Sequence, residues 1–178
     1  GDRYQSIASE GGHASFAPTS ELEIDLWRYL NQRHGHVSWE RVVAGPGLAS
    51  IYDFLRNRQP ERESAALKKE LEQGDRSDTI SRAGLEQHCE LATEALDLYA
   101  YLFGCEAGNL ALKLMSSGGV FVGGGIAPKI LGKLRDGRFM EGFISKGRMG
   151  EPLEDIPVQV VLNDKTALSG AAYWGMQL

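Results

Sequence analysis

Apolar residues recur at helical spacing over most of this chain and gather into short strand-like runs only towards its end. Leu22, Leu26 and Leu30 stand at i, i+4 and i+8 with Trp27 beside them, a buried stripe that predicts a helix. Ser20-Glu21-Leu22-Glu23 is its capping box and Gly35 its end. A second start at Ser38 predicts a short turn through Glu40 to Val43, interrupted by Gly45-Pro46-Gly47. Leu48, Ile51, Tyr52 and Leu55 form another stripe, on a helix that stops by Pro60. From residue 61 to 78 charges replace the periodicity. That predicts a surface excursion, with a helical middle over residues 65–71 and the best candidate for mobility.

The longest pattern follows. Leu85, Cys89, Ala92, Leu96, Tyr99, Phe103, Ala107, Leu110 and Leu114 advance by threes and fours. They predict one long helix with a buried face, or two meeting near Gly104. Gly104 and Gly108 share a face, and each costs ~1 kcal/mol against alanine inside a helix, which implies close packing there. Val120-Phe121-Val122 is too short for a helix and reads as a buried strand, ending in Gly123-Gly124-Gly125-Ile126-Ala127-Pro128. A short helix is expected over 129–134, glycine-studded loop and helix over 135–155, a second strand over 158–162 and a small-residue helix over 166–174. Residues 3–9 read as a further short strand. Together these predict an α/β arrangement around a sheet.

Composition narrows the functional classes. The chain has 178 residues, of which 42% are hydrophobic and 24% charged, the usage of an ordinary folded domain rather than a disordered one. No apolar run approaches the ~18 residues of a membrane helix, and no signal-peptide pattern is visible, so a soluble, cytoplasmic protein is expected. A net charge of -5 gives no electrostatic reason to expect nucleic acid or an anionic membrane. Two cysteines, Cys89 and Cys105, are too few for a disulfide framework and read as core thiols. Glycine is the exception, with 12 of 22 falling between residues 104 and 150; such local enrichment marks close backbone approach, by packing or by ligand.

Glu10 and His13 flank a glycine pair, a spacing open to metal ligation, acid–base work or hydroxyl binding, and equally to a loop-fixing carboxylate with a surface histidine. Glu40, in the first turn after Ser38, suits the helix dipole without any further role. The glycine triplet after a strand and before a helix can face a nucleotide, although it matches neither the G-x-G-x-x-G nor the P-loop pattern. No G-x-S-x-G, H-E-x-x-H or C-x-x-C occurs.

Three segments in order resemble the bacterial glucokinase family of the sugar kinase–actin superfamily. Glu10-Gly11-Gly12-His13-Ala14-Ser15-Phe16-Ala17-Pro18 is similar to its sugar loop. Gly35-His36-Val37-Ser38-Trp39-Glu40-Arg41 with Gly45-Pro46-Gly47-Leu48 is similar to the next sugar-contacting segment. Gly108-Asn109-Leu110-Ala111-Leu112 through Pro128 is similar to the helix and adenosine-motif strand.

The resemblance implies a ribonuclease H-like large domain of the sugar kinase–actin type, in which the strands over 120–122 and 158–162 are central neighbours and the long helix packs on their sheet. It implies glucose bound by Glu10, His13 and Glu40, and ATP placed by Gly123, Gly124 and Gly125 with Gly45 near the nucleotide cleft. The family's Asp-x-Gly-Gly-Thr and Gly-Thr-Gly phosphate loops and its Asn-Asp catalytic pair have no counterpart in their expected order. Asn163-Asp164 follows every other motif. The 178 residues therefore resemble the C-terminal large-domain portion of a longer chain, without the N-terminal domain, and are expected to transfer no phosphate alone. No catalytic residue and no magnesium ligand is assigned in them, and a homodimer is a candidate assembly. Two rival readings are a non-catalytic sugar-sensing module and a structural or dimerising domain.

Overall fold

A computed structural model describes residues 7–176. Eleven α-helices and two strands are seen among them. They run α1 (Glu21–His34), α2 (Trp39–Val43), α3 (Gly45–Arg58), α4 (Ala65–Leu71), α5 (Arg76–Leu85), α6 (Glu90–Leu114), β1 (Val120–Val122), α7 (Ile126–Lys129), α8 (Leu131–Leu134), α9 (Arg138–Ile144), α10 (Gly150–Glu154), β2 (Val158–Val160) and α11 (Thr166–Gly175). The strand expected at residues 3–9 lies partly outside the described residues, and residues 7–9 are not extended into a ladder.

Caps and stripes act where the pattern put them. Ser20 accepts the Glu23 backbone N–H, while the Glu23 carboxylate accepts from the Ser20 hydroxyl and from the Thr19 N–H at 2.7 Å. The reach-back of the capping box therefore lands one residue earlier than the usual partner. Gly35 ends α1 with φ of 70°. Leu48, Ile51, Tyr52 and Leu55 of α3 are all buried. Gly45-Pro46-Gly47 does not interrupt the chain between two helices; it forms the first turn of α3, because proline is tolerated there without losing a helical hydrogen bond.

The charged excursion contains the expected helix α4 and the start of α5, a helix that periodicity did not show. Asp75 caps α5 by accepting the Asp78 N–H at 2.9 Å. The chain then turns at residues 86–89, so Leu85 ends α5 instead of opening the long helix. That helix, α6, is a single 25-residue element that runs straight through Gly104.

The glycine face of α6 packs against α9 at backbone contact. A Cβ built on Gly104 would sit 1.9 Å from the Phe139 carbonyl oxygen, and one on Gly142 of α9 would sit 2.0 Å from that of Tyr101. The approach is reciprocal, and it explains why both helices accept the propensity cost of glycine. Phe139 packs edge-on to Phe103 and stacks with Phe143, closing the seam with aromatic surface. Both cysteines are buried and free.

β1 and β2 pair in parallel, with Val120 opposite Val158 and Val122 opposite Val160. They are neighbours, as expected. Two expectations need correction. Of β1 only Val122 is buried while Phe121 is largely exposed, so the strand covers one face only. The main neighbours of α6 are α9, α5 and α3, so the long helix seats on helices more than on the sheet. Leu110 and Leu114, counted into its apolar stripe, are exposed. Among the described residues no helix is long and apolar enough to cross a membrane.

Candidate functional site

Residues 10–16 are held against the start of α2 by main-chain bonds. The Phe16 N–H donates to the Val37 carbonyl and the Trp39 N–H to that of Ala14, both at 2.9 Å. Beneath them Phe16 and Trp39 meet edge to face at 5.0 Å, and both are buried. His36 is drawn into the same clasp, hydrogen-bonded through Nε2 to the Ser15 hydroxyl. Among the described residues no group of three His, Cys, Asp or Glu is placed to hold a metal ion.

This clasp brings Glu10, His13 and Glu40 together across 30 positions of sequence. His13 Nδ1 lies 3.4 Å from a Glu40 carboxylate oxygen and 3.7 Å from one of Glu10. The turn Gly11–His13 is a single 3₁₀ turn, and Gly12 passes so near that an added Cβ would touch Glu40 at 3.6 Å. All three side chains are exposed. Two carboxylates around an imidazole offer several acceptors and one switchable ring, a set suited to a polyhydroxyl ligand.

Glu40 lines a cleft of about 870 Å³, together with residues 43–46, the start of α5, Lys129, residues 123–126, and Phe103, Glu106 and Leu110 of α6. Hydrogen bonds hold several of these lining segments in place. The Tyr99 hydroxyl donates to the Val43 carbonyl at 2.6 Å and is held protonated by burial, which raises its pKa. Ser77 donates to the Gly45 carbonyl at 2.8 Å, and Lys129 donates to Asp78 at 2.7 Å.

The glycines facing this space are bare. A Cβ on Gly45, Gly123, Gly124 or Gly125 would meet nothing within 4 Å. Gly124 also has φ of 101°, a conformation a side chain rarely adopts. The triplet joins the end of β1 to the start of α7, as the pattern predicted.

Pattern reading missed the cleft residues Asp75, Ser77, Asp78, Lys129 and Glu106. The first three were hidden in a charged stretch that reads as solvated surface. Glu106 did carry a signal. It lies three positions after Phe103 and four before Leu110, a carboxylate inside an apolar stripe, and the structure buries it to 8% exposure.

The sequence model of the family described as Glucokinase matches residues 1–178. A glucokinase of Synechocystis sp. is 48% identical over 188 residues, covering 98% of this chain and 53% of the relative. A glucokinase of Chromobacterium violaceum is 41% identical, covering 95% of this chain and 46% of the relative. The chain thus spans about half the length of the curated relatives it matches. Among solved structures, a glucokinase from an Antarctic psychrotroph superposes with a TM-score of 0.78 at 33% identity, covering 97% of this chain and 51% of that one. A glucokinase from Balamuthia mandrillaris, solved in complex with glucose, superposes with a TM-score of 0.73 at 20% identity, covering 88% and 43%, a likeness of fold alone.

Proposed function

Since the chain belongs to the glucokinase family, we propose that it forms the sugar-binding and adenosine-binding part of an ATP-dependent kinase that phosphorylates the 6-hydroxyl of glucose. Its 178 residues are the C-terminal large-domain portion, of ribonuclease H-like type, and work with an N-terminal domain of the same protein. The observation that carries this reading is the shared cleft. Glu40, tied to His13 and Glu10, lines the same space as Gly45 and the glycine triplet.

In this reading Glu10, His13 and Glu40 accept hydrogen bonds from sugar hydroxyls and fix the ring. The Ser38 cap, whose hydroxyl accepts the Arg41 N–H, orders the main chain at Glu40, and the Glu40 carboxylate lies 3.4 Å from His13 Nδ1. The bare glycines let a nucleoside lie against main chain, with the bonded walls setting its position. ATP supplies the phosphoryl group as its magnesium complex. Magnesium is assigned no ligand in this chain, and neither is the proton-accepting group. The contribution of these residues is positioning of two reactants, which is a large part of such catalysis.

Glucose titration followed by tryptophan fluorescence tests the sugar half, because Trp39 borders the cleft. Glu40→Gln removes one charge and one acceptor, and weakens glucose by ~1–3 kcal/mol, about tenfold to 150-fold. An unchanged titration would return Glu40 to a helix-dipole role. Coupled-assay turnover is expected to be absent from the 178-residue chain, and glucose-dependent ATP consumption by it would overturn the domain reading.

A further inference from the structure

Glu106 is a buried carboxylate in the middle of α6, where helices that only pack carry apolar residues. Among the described residues its only side-chain hydrogen bond is accepted from Asn109 Nδ2 at 2.9 Å, on one oxygen. Glu106 borders the cleft between Phe103 and Leu110, its neighbours one turn away on the same face. Leu110 is 42% exposed although Tyr99 and Ala107 of the same stripe are buried. Burial raises the pKa of Glu106, and Asn109 lowers it in part. A carboxylate kept at such a desolvation cost, with spare acceptor capacity and an open space in front of it, is suited to reading a donor on a ligand.

We infer that Glu106 is a specificity-determining residue that accepts a hydrogen bond from the 6-amino group of the adenine base. The flanks favour a base over a ribose. Phe103, Leu110 and Ile126 offer apolar surface to a flat ring, and the bare glycines of the same cleft leave room for its thickness. Polar hydroxyls would gain nothing from those contacts. Asn109 keeps the carboxylate from rotating away, so it acts as a positioning residue. A 6-oxo purine would present an acceptor to an acceptor and be rejected, by unpaired polar groups as well as by repulsion.

This inference rests on the cleft being the nucleotide site, and ATP against ITP separates the two claims, since these nucleotides differ at the 6-position of the base. Titration calorimetry of the 178-residue protein is expected to show ATP binding at least about tenfold tighter than ITP. Glu106→Gln should bring the two within about threefold, chiefly by strengthening ITP, because an amide can turn to donate to the 6-oxo group. Glu106→Ala should lose the preference through weaker ATP binding. Thermal unfolding of both variants separates loss of fold from loss of discrimination. Equal affinities in the parent protein, or an unchanged ratio in folded Glu106→Gln, overturn the role of Glu106 and leave the nucleotide cleft standing. No binding of either nucleotide overturns both.

Discussion

Two glycine-rich regions of this molecule look alike as sequence and are opposites in space. At Gly104, Gly108 and Gly142 the missing side chains let α6 and α9 touch through their backbones, and a single added carbon would overlap a carbonyl. At Gly123, Gly124 and Gly125 the same absence leaves empty space beside a cleft. One set is filled by protein and the other is open to a ligand. Glycine enrichment therefore marks an approach without saying what approaches.

The contrast can be broken most forcefully at Gly104. Its replacement by alanine puts a methyl 1.9 Å from the Phe139 oxygen, and backbone cannot yield as a side-chain tip can. Gly104→Ala should cost about 3 kcal/mol or more of stability, read as a lowered midpoint of urea unfolding. A loss below about 1 kcal/mol would mean that α9 slides freely on α6.

Gly125→Val sharpens the other side. The residue has ordinary backbone angles, with φ of -77°, and open space before it, so the fold should hold within about 1 kcal/mol. Nucleotide affinity should fall by ~1–3 kcal/mol, about tenfold to 150-fold, with glucose binding unaffected. Gly124→Val is a poorer probe, because its left-handed backbone would strain any side chain and mix stability with binding. Should Gly125→Val bind nucleotide as the parent does, the loop is not the adenosine seat.

The smallest effect is expected at Gly123. Alanine there has no clash and a permitted φ, so Gly123→Ala should raise stability by ~0.4–1 kcal/mol by restricting the unfolded chain. A thermal melt measures it. A clear destabilisation would show that this loop is packed in the way the α6–α9 seam is.

Much of the fold was legible because local physics agreed with the tertiary result. The stripe of Leu48, Ile51, Tyr52 and Leu55 had one face to bury, and the Ser20 and Ser38 caps satisfied orphan N–H groups within their own turns. The legible parts end where a pattern needs a partner. Leu85 continued the spacing of α6 yet closed α5, since periodicity does not register a turn that preserves its phase. Leu110 and Phe121 were read as buried and are exposed, because an apolar side chain facing a cleft or an open sheet face has the same sequence signature as one in a core.

The sequence alone determined the caps and buried stripes of α1 and α3, the length of apolar pattern in α6, the two strands, the glycine clusters and the segments that resemble the family. These depend on spacing, capping and backbone permission, which act within a few residues. Only the tertiary structure decided that Glu10, His13 and Glu40 meet, through a two-bond clasp between residues 14–16 and 37–39. It alone set Glu106, Asp78 and Lys129 around one cleft, and distinguished glycines that seat a helix from glycines that border open space. The reason is range: a missing Cβ is a local property, and what fills the space it leaves comes from elsewhere in the chain or from outside it.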